Sequence, residues 1–150
     1  MDELRIRSRW LSRAIGALAL LLLAVPVITA TAIALGTYPH VELLVRQLPV
    51  LFYVWALWSV RGALAAYGQG GALTARAGSS IQAVGVSLFL GGLCNVFAVP
   101  IILRVMRGEG TYVYFDVTAM TLGAVGLSLV VIGRLLADAE AARRELDEFV

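Results

Sequence analysis

The chain contains no lysine, one cysteine and one histidine, and charged residues fill only 15% of its 150 positions. Each shortage excludes something. Soluble proteins carry about 25% charged residues, so this chain has too few charges to coat an ordinary water-facing surface. Cys94 has no second cysteine to pair with, so no intramolecular disulfide forms and the redox compartment is unreadable; within an apolar run it reads as a small apolar filler. His40, beside Pro39 in a short loop, has no cysteine or carboxylate cluster around it and makes a poor metal or haem ligand. No Ser/His pair, paired carboxylate or mid-span acid suggests chemistry on a substrate. The sequence therefore assigns no catalytic residue, no cofactor and no metal, and the chain reads as a non-enzyme.

What is present is apolar length, in a chain that is 60% hydrophobic. Ala14 to Val41 carries no formal charge, about 28 residues where a helix needs roughly 20 to cross a hydrocarbon core. Three further apolar stretches follow. The pattern predicts an all-α integral membrane protein: four transmembrane helices in a bundle, forming one domain over residues 1–150. The spans fall at about 11–35, 47–67, 79–103 and 116–134, with the fourth helix extended into a cytoplasmic amphipathic tail over about 135–148. The first run has the basic start and small-residue site of a signal peptide, but it is too long for an h-region and reads as a retained signal-anchor.

Local signals refine the spans. Trp10 marks the headgroup layer, and Pro26 is expected to kink or loosen the first helix. Pro49 suits the first turn of the second helix, which must include an arginine because Arg46 and Arg61 stand too close together to bracket a full span. Asp116 is placed to cap the fourth helix. On the third span Ala83, Ser87, Gly91 and Asn95 recur every four residues on one helix face. Ala119 and Gly123 on the fourth are spaced to meet that stripe by close backbone approach, with Asn95 hydrogen-bonding across helices.

Arginine placement gives the orientation. Arg5, Arg7, Arg9, Arg13, Arg61, Arg76, Arg134, Arg143 and Arg144 fall on one side, and only Arg46, Arg104 and Arg107 on the other. The positive-inside rule then puts both termini in the cytoplasm, and the all-arginine, Ala/Gly/Leu-rich composition suggests a high-GC bacterial genome. Beyond the fourth span, Leu135, Ala139, Ala142, Leu146 and Phe149 step by three or four along one face of a segment without Gly or Pro, a candidate docking face for a partner.

Two places carry a family likeness. One is Gly71-Ala-Leu-Thr74 followed by Ile81-Gln-Ala-Val-Gly85; the other is the ending from Leu135-Leu136 through Ala141-Ala-Arg-Arg-Glu-Leu-Asp-Glu-Phe-Val150. In these the chain resembles a bacterial family of small four-span membrane proteins, domain-of-unknown-function family 2975. Leu73 stands where that family often has phenylalanine, and Gly78-Ser79-Ser80 replaces more polar residues. The resemblance implies a four-helix inner-membrane protein and association with a regulatory partner, and it supplies no functional residue.

The expected partners are the lipid bilayer and a protein partner or further copies of the chain, with no nucleic acid, since the N-terminal arginines serve topology and anionic headgroups. The leading expectation is a non-enzymatic accessory subunit or membrane partner acting through helix packing and the tail. The alternatives are a small transporter or channel formed by a homo-oligomer and lined by Thr29, Thr31, Ser87, Thr121, Ser128 and Asn95, and a pigment- or quinone-binding subunit using Tyr53, Trp55 and Trp58.

Overall fold

A computed structural model describes the backbone of residues 2–36, 41–68 and 73–148, and side chains over 10–36, 41–62, 78–139 and 141–142. Every regular element among them is helical: α1 (Asp2–Ala34), α2 (Glu42–Arg46), α3 (Leu48–Gly68), α4 (Leu73–Leu93), a π turn (Cys94–Ala98), α5 (Val99–Arg107) and α6 (Val117–Glu148). Four stretches are long and apolar enough to cross a membrane: Trp10–Ala34, Glu42–Gly62, Gly78–Arg107 and Val117–Ala139. The chain has the build of a multi-pass membrane protein.

The local signals act as chemistry requires. Asp116 Oδ1 accepts the Thr118 N–H at 2.9 Å and the Ala119 N–H at 3.4 Å, so its side chain takes up two of the donors that a helix start leaves without partners. Pro49 sits in the first turn of α3, where its missing N–H costs nothing. α1 runs through Pro26 as one helix, so the expected loosening does not divide it. α3 does carry an arginine: the Arg61 guanidinium lies 5.2 Å from the Trp58 ring centroid and against Gly16 of α1. The break before α3 falls at Gln47, whose Nε2 donates to Thr29 Oγ1 of α1 at 2.9 Å.

The tightest contact joins α4 to α6. A Cβ on Gly85 would lie 2.6 Å from the Gly126 carbonyl oxygen, and one on Gly126 would lie 2.7 Å from the Gly85 carbonyl oxygen. Gly78 and Gly133 oppose each other in the same way, and Gly92 meets the Ala119 carbonyl. The hydrogen that glycine carries in place of a side chain thus points at a facing carbonyl, a weak Cα–H···O contact repeated along both helices. The contact residues step by seven, up α4 through 78, 85 and 92 and down α6 through 133, 126 and 119. A seven-residue repeat keeps one seam facing its partner along the whole antiparallel pair.

The predicted stripe of four-residue steps meets α3 at one of its members. Gly91 faces Tyr53 of α3, where a Cβ would lie 2.6 Å from the ring. Ser87 is 1% exposed and Ala83 is half-buried, while Ala119 and Gly123 stand against Gly92. α4 is therefore packed on both sides, by α3 and by α6.

The spans touch in chain order, α1 on α3, α3 on α4 and α4 on α6. Among the described residues no extended contact joins α1 to α6 or α3 to α6, so the described spans lie as an open row. Within Trp10–Ala34 only 6% of the apolar window is buried. The continuous α6 passes Ala139, with Leu135, Ala139 and Ala142 exposed; the Leu146 side chain and Phe149 lie outside the described residues, as do His40 and the Gly71-Ala72 part of the family motif.

The glycine seam gives a direct prediction. Gly85→Ala or Gly126→Ala forces a methyl group into backbone, and each is expected to cost about 1–3 kcal/mol in reversible unfolding in mixed micelles. Gly62→Ala, with nothing within 4 Å of its Cβ position, is expected to be neutral or mildly stabilising.

Candidate functional site

Where α4 gives way to α5 the helix inserts a π turn, and Val99 donates its N–H to the Cys94 carbonyl. Its cause is legible in the residues that follow. In a regular α-helix the Val96 carbonyl would accept from residue 100, but Pro100 has no N–H. The Tyr114 N–H takes that place, donating to Val96 O at 3.1 Å. One backbone bond thus fastens the loop after α5 to the side of the third span. π turns of this kind are common at functional sites.

The loop is shaped by Gly108, in the left-handed region at φ 74°, whose N–H caps α5 by donating to Arg104 O at 2.8 Å. The chain then folds back beside α5 and restarts at Asp116. Between loop, α5 and the α2 end lies a cavity of about 500 Å³. Asn95, Val99, Pro100, Leu103 and Tyr114 are among its lining residues, and Arg46, Arg104, Arg107, Glu109 and Asp116 supply its charges.

These charges are unequally committed. Arg107 pairs with Glu42; their side chains are 53% and 24% exposed, so the pair contributes less than about 1 kcal/mol and serves to tie α2 to α5. Arg104 donates to the Gly110 carbonyl and stacks over the Tyr112 ring, 3.9 Å from its centroid, which fixes the plane of its guanidinium. Asp116 is occupied by its helix cap. Arg46 and Glu109 are exposed and form no ion pair among the described residues. Asn95, read from sequence as a cross-helix hydrogen bonder, lies half-buried in the π turn with its side chain on the cavity wall.

The other sequence candidates do not gather into a second site. Thr29, Thr31, Ser87, Thr121 and Ser128 each donate to a carbonyl three or four residues earlier in their own helix. Tyr53 is turned to Gly91, whereas Trp55 and Trp58 are 55% and 57% exposed, so the three rings do not converge on one pocket. Among the described residues no group of three His, Cys, Asp or Glu side chains is placed to hold a metal ion.

Sequence reasoning missed Glu42 and the bond from Tyr114 to Val96, because the partners lie far along the chain. It did place Arg46, Arg104 and Arg107 on one side of the membrane, and these three converge on one cavity. No known protein family, characterised protein or solved structure matches this chain. A functional reading must therefore come from the geometry.

The cap beside the cavity can be tested on its own. Asp116→Ala is expected to lower unfolding stability by about 1 kcal/mol, with Asp116→Asn restoring most of the loss. Equal losses in both variants would mean that the cap contributes through charge alone.

Proposed function

We propose that this chain is a non-enzymatic protein of the bacterial inner membrane, both termini cytoplasmic, acting as an accessory subunit or membrane partner of another protein. The observation that carries this reading is the open row of spans. α1 and α6 are each packed along one side only, and their outer faces present large apolar side chains such as Leu20, Leu21, Ile28, Val125, Leu127 and Val131. A partner helix or a second copy laid along the row would complete the bundle expected from sequence. Close van der Waals packing drives such association in lipid. Beyond Ala139, α6 continues to Glu148 and offers Leu135, Ala139 and Ala142 as the described part of a docking face on the cytoplasmic side. The two short motifs are the basis on which we also propose kinship with domain-of-unknown-function family 2975, which would imply a regulatory partner.

The channel alternative is less well supported. A pathway needs polar groups facing it, and the span hydroxyls spend their donors on their own helix backbone.

The test is extraction of the C-terminally tagged chain into native nanodiscs, with mass spectrometry of what accompanies it. A stoichiometric protein partner, lost when residues 135–150 are deleted but span assembly is retained, is the expected result. A pure homo-oligomer that passes solutes after reconstitution into liposomes would overturn the proposal in favour of a pore.

A further inference from the structure

The cavity at the end of α5 has a divided lining. Val99, Pro100 and Leu103 are apolar, and Asn95 adds to the lining an amide that no protein group hydrogen-bonds among the described residues. The rest of the lining is largely ionic. With Arg107 answered by Glu42, the remaining charges are Arg46 and Arg104 on one hand and Glu109 and Asp116 on the other, which sum to zero. A volume of about 500 Å³ falls within the range of small-molecule sites, roughly 300–1,000 Å³. The cavity also opens where the third apolar span ends at Arg107, the depth at which lipid headgroups meet water.

We propose that this cavity binds one zwitterionic phospholipid, with its phosphodiester held by Arg46 and Arg104 and its ammonium facing Glu109 and Asp116. Arg104 is already fixed in plane by Tyr112 and the Gly110 carbonyl, and the remaining N–H groups of its fork suit a phosphate oxygen pair. Arg46 completes the phosphate clamp from the α2 side. A net-neutral lining favours a headgroup that carries both charges over a purely anionic one, which would leave Glu109 and Asp116 facing negative charge. The Val99–Leu103 wall takes the glycerol and the first methylenes of the acyl chains. Topology accounts for the arginines on the cytoplasmic side, and this site gives a role to those on the other. The proposal needs the chain to lie in a membrane and is independent of whether it has a protein partner.

The test uses the full chain in maltoside micelles and native mass spectrometry, titrated separately with dioleoyl phosphatidylethanolamine, dioleoyl phosphatidylglycerol and water-soluble glycerophosphoethanolamine. One tightly retained phosphatidylethanolamine is expected, with Arg46→Gln weakening it about tenfold. Glu109→Gln is expected to erase the preference over phosphatidylglycerol, and Arg134→Gln, toward the far end of the fourth apolar stretch, to change neither. Arg46 and Glu109 are exposed, so both variants are expected to fold, which their unfolding curves check. Equal retention of the two lipids by the unaltered chain, or indifference to Arg46→Gln, would overturn the proposal. Binding of glycerophosphoethanolamine as tight as that of the lipid would show that the ligand is a soluble zwitterion and overturn the lipid assignment.

Discussion

The reciprocal approach of Gly85 and Gly126 sets the terms for the rest of the molecule. Lipid tails are as apolar as leucine, so helices inside a bilayer gain nothing from merely hiding apolar surface from one another. They gain from contact closer than lipid can make. Glycine at each seventh position of α4, facing Gly133, Gly126 and Ala119 of α6, lets the two helices bring backbone against backbone, with carbonyl oxygens meeting α-hydrogens along the seam. The other face of α4 is then free for α3, where Gly91 receives the Tyr53 ring. α1 is added last, through Gln47 to Thr29 and through Arg61 over Gly16. The row is built outward from its best contact, and burial falls in the same order, from 33% of the apolar window in the third span to 6% in the first.

The same helix that makes this seam also builds the cavity. Pro100 removes a donor, the π turn shifts the helical bonding by one residue, and Val96 O is left to accept from outside the helix. Tyr114 fills that need and so holds the returning loop beside α5. Asp116 then restarts the chain as α6 at the register that the seam requires, since Ala119, its first contact with α4, lies within the first turn. The cavity, the loop and the seam are thus linked through a few backbone groups between Val96 and Ala119.

Much of this was legible in the sequence because it is local. Apolar length announced four membrane-crossing helices, and Asp116 and Pro49 marked helix starts through chemistry confined to one turn. The interface between the third and fourth spans was legible only in part. Small residues carry that interface, and Gly78, Gly85 and Gly92 meet α6 at a period of seven, a repeat the four-residue stripe of Ala83, Ser87 and Gly91 does not include. Both periods are present on α4 because it has two neighbours, and a single sequence does not say which neighbour each serves. The Glu42–Arg107 pair and the Tyr114 to Val96 bond join distant segments, and no spacing rule reports them. The open edge of the row is likewise a statement about which helices do not meet, which hydropathy alone never contains.

The openness of the row is the claim on which the functional reading leans most, and one distance tests it. Spin labels at Leu21 of α1 and Leu127 of α6, both exposed, can be placed in a Cys94→Ser background and measured by double electron–electron resonance in nanodiscs. With neighbouring helix axes about 8–10 Å apart, an open row separates α1 from α6 by more than two such intervals, about 20 Å or more. A separation of about 10 Å between the helices would mean that the single chain closes its own bundle and would contradict the account.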